Sequence, residues 1–307
     1  MRILILSITH MKSRLNLLFF IGLSTLLVVS CEQDALVDPP AFEKKPAIMC
    51  LMSPQSSMIE ASLVYTKPYY GLQKDENEYI SDALIVITEE ATGISDTMYN
   101  YEPGMYALNI GRITLKEKNW YQMVVRLSDG KSFSARSRVP PKADLNKFKI
   151  ASVKMGKPYE DLSNGGWGPY IVNPYAVEFL YDLGAADFYV SPQLEAAAKN
   201  TDGEQIDIRI SFVDEILRGE TNKSTSFSTQ SEFYSGFGIE GPFTINTFSG
   251  AIYTMDKAYR DYYRMQMLQD EENPFSEPVL FPNNFSGGAL GVFGTYDFVQ
   301  GTFEYTP

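Results

Sequence analysis

Residues 120–139 read "WYQMVVRLSDGKSFSARSRV". Tyr121, Met123, Val125 and Leu127 share one parity, with Gln122 and Arg126 on the other. After Asp129-Gly130 the alternation resumes, with Phe133, Ala135 and Val139 against Ser134, Arg136 and Arg138. Successive side chains on a strand point to opposite faces. Two period-two runs joined by Asp-Gly therefore predict an antiparallel hairpin with one apolar face. That face needs a second sheet to cover it.

Working upstream, "IEASLVYTK" (59–67) sets Ile59, Ala61, Leu63 and Tyr65 against Glu60, Ser62, Val64 and Thr66. "ALIVIT" (83–88) is apolar on both faces, as a central sandwich strand can be. "AIMCLM" (47–52), "GISDTMYNY" (93–101) and "GMYALNI" (104–110) complete seven candidate strands. Seven strands in about a hundred residues match an immunoglobulin-like β-sandwich, expected over residues 46–142. Pro140-Pro141 breaks any ladder and marks its end.

Downstream, residues 143–307 are expected to form a second β-rich domain. "YAVEFLYD" (175–182) alternates Tyr175, Val177, Phe179 and Tyr181 with Ala176, Glu178, Leu180 and Asp182. "IDIRISFVD" (206–214) puts Ile206, Ile208, Ile210 and Phe212 on one face. Residues 235–253 read as turns and short strands. One segment departs from the pattern. In "TMDKAYRDYYRMQMLQD" (254–270), Met255, Tyr259, Tyr262 and Gln266 fall near helical spacing, predicting a single helix near 255–269. Thr254 is the expected cap, and Asp256 suits the positive end of the dipole. The fold class is thus mainly β, a sandwich followed by a β-rich domain carrying one helix.

The N-terminal end has another character. Leu15 to Val29 carries no charge, and Lys12 and Arg14 stand just before it. The run is short for a permanent span of about 20 residues and suits a signal-peptide core. It ends in Val28-Val29-Ser30-Cys31, which resembles the lipobox of bacterial lipoproteins, so residues 1–30 are expected to be a signal peptide and Cys31 the lipidated residue. Each buried methylene of an acyl chain contributes about 0.8 kcal/mol, and several chains together make release negligible. A start at Met11 would give a well-proportioned signal. Residues 31–45, "CEQDALVDPPAFEKK", are charged and proline-broken and read as a tether.

Composition then removes whole classes of chemistry. His10, the chain's single histidine, lies in the expected leader. Ser-His-Asp and Cys-His machinery therefore cannot be built in the mature chain. Zinc is poorly served by one thiol and no imidazole. The whole chain carries a net charge of −12, and the leader would take Arg2, Lys12 and Arg14 but no acid with it. So acidic a body repels nucleic acid. Cys50 has no intrachain partner once Cys31 is lipidated and reads as a small buried hydrophobe.

Paired carboxylates suit glycoside hydrolysis. Candidates are Asp214-Glu215, Asp270-Glu271-Glu272 and Glu277, although adjacent residues on a strand point to opposite faces. "DENE" (75–78) and "DEEN" (270–273) lack the spacing of a calcium loop. "GGALGVFG" (287–294) lacks the lysine and serine of a phosphate cradle, and its glycines read as tight turns or close backbone approach beside Phe293. Aromatic pairs remain: Tyr69-Tyr70, Trp167 with Tyr170, Phe233-Tyr234 with Phe237, and Tyr262-Tyr263. Most suit a core, but "NGGWGPY" (164–170) sets a tryptophan among glycines. Trp167 and Tyr170 are therefore the candidate ligand or partner contact.

The chain's end resembles a family. "YTMDKAYRDYYRMQML" followed by "NPFSEPVLFPNNFSGGALGVFGTY" is similar to the ending of Bacteroidota lipoproteins classed as a domain of unknown function. Their pattern is an aromatic helix, a D-P-F-x-E-P-like segment and an N-x-x-G-G-x-G-x-F-G-like tail. Here Asn273 stands where an acid is common, and Ala289-Leu290 widens the glycine spacing. "FVDEILRGE" (212–220), "CEQDALVDPP" (31–40), "DALIVITEEATG" (82–93) and "YEPGMYAL" (101–108) extend the resemblance over nearly the whole mature chain. Members are typically encoded beside TonB-dependent receptors. The resemblance implies an outer-membrane lipoprotein acting as a binding or accessory subunit of a TonB-dependent uptake system. It assigns no catalytic residue. Glu32 and Asp34 resemble the acidic signal that sends such lipoproteins to the cell surface. The expected protein is therefore no enzyme, holds no metal and no cofactor beyond its lipid, and partners a TonB-dependent receptor. A carboxylate-based glycan hydrolase and a pilin-like fimbrial subunit are the alternatives.

Overall fold

The computed structural model describes residues 42–67, 78–109, 111, 113–161, 170–182, 188–211, 217–218, 224–235, 241–269 and 282–306. The seven strands expected in the first part all form. They are β1 (Pro46–Met52), β2 (Met58–Tyr65), β3 (Leu84–Glu89), β4 (Ser95–Glu102), β5 (Met105–Asn109), β6 (Trp120–Arg126) and β7 (Ser132–Arg138). The opening hairpin pairs β6 with β7 antiparallel, Trp120 opposite Arg138 and Arg126 opposite Ser132. Its turn is closed by the Lys131 N–H donating to Asp129 Oδ1 at 3.0 Å. Parity predicts burial well. Tyr121, Met123 and Val125 are fully buried, as are Ile59, Ala61 and Leu63 on β2. In β4 the first half pairs with β3 and the second half with β5, so one strand joins the two layers of the sandwich.

Beyond Pro141 the chain makes a short 3-10 turn (Leu145–Lys147) and then β8 (Phe148–Met155), β9 (Tyr159–Asp161), β10 (Tyr170–Asp182), β11 (Tyr189–Asn200), β12 (Gln205–Ser211), β13 (Leu217–Arg218), β14 (Ser224–Ser235), β15 (Phe243–Met255), the helix α1 (Lys257–Gln269) and β16 (Leu290–Glu304). Two expectations are corrected here. Residues 243–255 are one continuous 13-residue strand and not short pieces. Gly250, which reads locally as a break, sits in register opposite Leu194 and Gly301. The helix cap is Asp256, not Thr254: the Tyr259 N–H donates to Asp256 Oδ1 at 2.8 Å. Thr254 Oγ1 instead donates to the Pro141 carbonyl at 2.7 Å.

One sheet runs β12-β11-β15-β16-β1-β2-β5-β4-β3-β6-β7, with β13 paired to β11. A second sheet runs β14-β10-β8, with β9 on β10. The last strand is therefore central. The first half of β16 pairs in parallel with β1, Ala47 opposite Leu290 through Met52 opposite Thr295. Its second half pairs antiparallel with β15. Two apolar cores result. The first lies within β1–β7 and takes in Phe285, Ala289 and Phe293 from the chain's end. The second lies between β8, β10, β14 and the long strands β11, β15 and β16. There Phe148 stacks on Phe179 at 5.2 Å, and Phe179 meets Phe248 edge-on at 5.7 Å. Among the described residues, no helix is long and apolar enough to cross a membrane.

Candidate functional site

The glycine-rich ending turns out to be a clasp that carries β16 past the edge of the first core. Along the first half of β16, backbone groups of Gly291, Phe293 and Thr295 find their partners outside β1. An open strand edge there would leave backbone groups unpaired. Asn284 covers most of it. Its N–H donates to the Gly291 carbonyl at 3.2 Å. Its side-chain Oδ1 accepts from the Phe293 N–H at 2.9 Å, and its Nδ2 donates to the Phe293 carbonyl at 2.8 Å. One amide side chain thus imitates a neighbouring strand. The Asp256 N–H then donates to the Thr295 carbonyl at 3.0 Å and completes the edge. Glycine permits the close approaches expected of it. A Cβ on Gly294 would lie 2.9 Å from the Tyr259 nitrogen, so α1 packs directly on the strand.

Replacing Asn284 with alanine would strand the Phe293 N–H and carbonyl in a buried setting. The expected loss is about 2–4 kcal/mol, since each unsatisfied buried group costs about 1–3. Asn284→Asp, which keeps the acceptor and loses the donor, should fall between wild type and alanine. Urea denaturation of the three proteins tests the order.

Between this clasp, β7 and the first turn of α1 lies a cavity of about 540 Å³. Trp120, Arg136, Arg138, Phe188, Lys257 and Asn284 contribute to its walls. Arg136 makes a two-pronged ion pair with Glu90, Nε to Oε1 and Nη2 to Oε2, both 2.6 Å. Those bonds hold the Glu90 carboxyl below its usual range. The same guanidinium lies 4.7 Å from the Trp120 ring, whose surface is 41% exposed. Arg138 lies 5.3 Å from the Phe188 ring and donates through Nε to the Lys118 carbonyl at 3.0 Å. Each arginine thus lies over an arene within cation–π distance and is bonded to a second partner. Lys257 and Arg260 both pair with Asp261. Asp256 and Asp261 also line the cavity, and Asp256 is 8% exposed and bonded to Ser137. Aromatic rings beside amide and charged groups of both signs make a lining suited to a polar ligand.

Cys31, Glu32, Asp34 and Trp167 lie outside the described residues, as do Asp214, Glu215, Asp270 to Glu272 and Glu277. Tyr170 opens β10, its backbone in register with Asp161 of β9. Phe233 belongs to the second core, whereas Tyr234 is 54% exposed. Tyr263 accepts from Gln193 Nε2 at 2.6 Å and stacks with Tyr259, which in turn stacks on Tyr296 of β16 at 4.5 Å. Cys50 is buried, and that burial pushes its thiol well above the ordinary range, as a structural cysteine requires. The clasp and its cavity were not legible as a site. One local signal exists: Ser137 occupies an inward position on β7 between Ala135 and Val139, and such a polar group needs a buried partner.

Among curated proteins, no match was found. A crystal structure of a tetra-tandem repeat in the extending region of a large adhesion protein is similar over 84% of this chain, at 10% identity and a TM-score of 0.20. The chain spans about half of that structure's length, 49%. Residues 34–302 match the family described as a domain of unknown function (DUF4249), and the chain belongs to that family.

Proposed function

We propose that this protein is an outer-membrane lipoprotein, anchored through Cys31 and displayed on the cell surface, that serves as a binding or accessory subunit of a TonB-dependent uptake system. The observation that carries the reading is the N-terminal arrangement. An uncharged run from Leu15 to Val29 ends at a lipobox-like Cys31, and an acidic tether with Glu32 and Asp34 then leads to a strand beginning at Pro46. The resemblance of the ending to lipoproteins encoded beside TonB-dependent receptors supplies the partner. The cavity supports a binding role without a catalytic step. Arg136 is engaged by Glu90 and Arg138 by the Lys118 carbonyl, and the aromatic and amide groups of the walls remain for a bound molecule.

The test is a pull-down of C-terminally tagged protein from gently solubilised outer membranes. A TonB-dependent receptor in stoichiometric amount supports the reading. Recovery of the protein alone, or as its own polymer, overturns the accessory role. Cys31→Ser should shift the protein from the membrane fraction to the soluble fraction. Retention in the membrane would remove the lipid anchor from the proposal.

A further inference from the structure

Three oxygen–oxygen contacts run in a row where the two cores meet. Asp256 Oδ2 lies 2.6 Å from Ser137 Oγ, Ser137 Oγ lies 2.8 Å from Thr295 Oγ1, and Thr295 Oγ1 donates to the Arg138 carbonyl at 2.7 Å. Each contact is hydrogen-bond length and needs a proton of its own. The carbonyl has none to give. Ser137 and Thr295 bring one each. The third must come from the carboxyl group.

We infer that Asp256 is a neutral carboxylic acid in the folded protein, and that its proton is the first link of a chain tying α1, β7 and β16 together. The two oxygens of the group fit this assignment. Oδ1 accepts the Tyr259 N–H and acts as the carbonyl oxygen. Oδ2, facing Ser137, carries the proton. Donation then runs in one direction, from Asp256 to Ser137 to Thr295 to the Arg138 carbonyl. Aligned donors of this kind polarise one another. Were Asp256 ionised, the Ser137 proton could serve only one of its two short contacts.

Surroundings agree. Burial raises the affinity of Asp256 for its proton, outweighing the hydrogen bonds from Ser137 and backbone amides, and pushes its pKa from 3.8 to about 6. The neighbouring charges are already engaged. On α1, Asp261 pairs with Lys257 and Arg260, and its own charge favours a neutral Asp256. On β7, Arg136 is held by Glu90 and Arg138 reaches Lys118. On β16, Asp297 accepts from Gln55 Nε2 at 2.9 Å. On β15 the preceding residues, Thr254 and Met255, bring no charge.

The consequence is a junction that tightens in acid. Asp256 holds its proton more strongly folded than unfolded. Between about pH 4 and 6 the unfolded chain therefore binds fewer protons, and stability falls as the pH rises. The contribution is complete below the ordinary aspartate value and is lost as the pH passes about 6.

Asp256→Asn reproduces the neutral acid, since its Nδ2 can donate to Ser137 while Oδ1 keeps the Tyr259 N–H. The unfolding constants of wild type and variant, measured on the full chain in detergent, should come closest near about pH 3.5, below the ordinary aspartate value. By pH 8 their ratio should have changed by on the order of a hundredfold in the variant's favour. A ratio that stays constant across this range overturns the inference. Carbon-13 NMR of labelled aspartate carboxyls needs no variant: one carboxyl should titrate near the raised value while exposed ones titrate near 4. All carboxyls titrating together would equally overturn it.

Discussion

Gly291→Ala is expected to lose about 4 kcal/mol or more, enough to leave much of the protein unfolded or insoluble at 37 °C. Losses of that size come from a short set of causes, and two coincide here. Gly291 has φ +129°, a region that side chains rarely enter. A Cβ there would also stand 1.8 Å from the Ile48 carbonyl oxygen and 2.7 Å from its carbon. That neighbour is backbone in β1, in register with Gly291, so it cannot swing aside as a side chain would. Relief requires parting β1 from β16, and with them the strand shared by both cores. Gly288→Ala is the matched control. Its φ is +93°, yet a Cβ would meet nothing within 4 Å. It should pay the backbone strain alone, about 1–2 kcal/mol. Soluble yield and thermal midpoints of both variants measure the gap. Equal losses would show that β1 and β16 do not pair in the register described.

Phe248→Ala tests whether the two cores unfold as one. Phe248 is fully buried in the second core, edge-on to Phe179. Truncation of such a residue costs about 3–5 kcal/mol through lost burial and the cavity left behind. The more telling result is where the loss is felt. Trp120 lies on β6, in the first core's layer, beneath Arg136. In a Trp167→Phe background its fluorescence reports that part of the molecule. Because β16 pairs with β1 at one end and β15 at the other, the Trp120 transition should move by as much as the circular dichroism signal. An unmoved Trp120 transition would mean that the cores unfold separately.

The contrast between these two residues and the opening hairpin shows what a sequence can reveal. Parity along 120–139 placed Tyr121, Met123 and Val125 inside because strand pairing there is local, and its turn is written in Asp129-Gly130. Nothing local announces that Leu290 to Thr295 will lie beside Ala47 to Met52, since a parallel pair needs a long connection and carries no turn signal. The same distance hid the clasp. Asn284 reads as one more loop asparagine until Phe293 is beside it. β11 was concealed differently: "YVSPQLEAAAKN" contains Pro192 and an alanine run that favours helix, and pairing on both sides overrides that preference. Asp256 was recognised for its charge at the start of the helix. Its role as the cap was assigned to Thr254 two residues earlier, because both residue types cap helices; the proton it carries depends on Ser137 and Thr295, which arrive from elsewhere in the chain.

The parallel pairing of β1 with β16 has a mechanical side. In the proposed anchoring, any pull on the body enters through the tether at Pro46, the first residue of β1. That strand lies between β2, antiparallel, and β16, parallel, with register pairs along both edges. Tension along β1 therefore slides it against both neighbours and strains their hydrogen bonds together, instead of peeling them apart one at a time. A strand held on two sides in shear is a sound attachment point for a protein tugged at its leash.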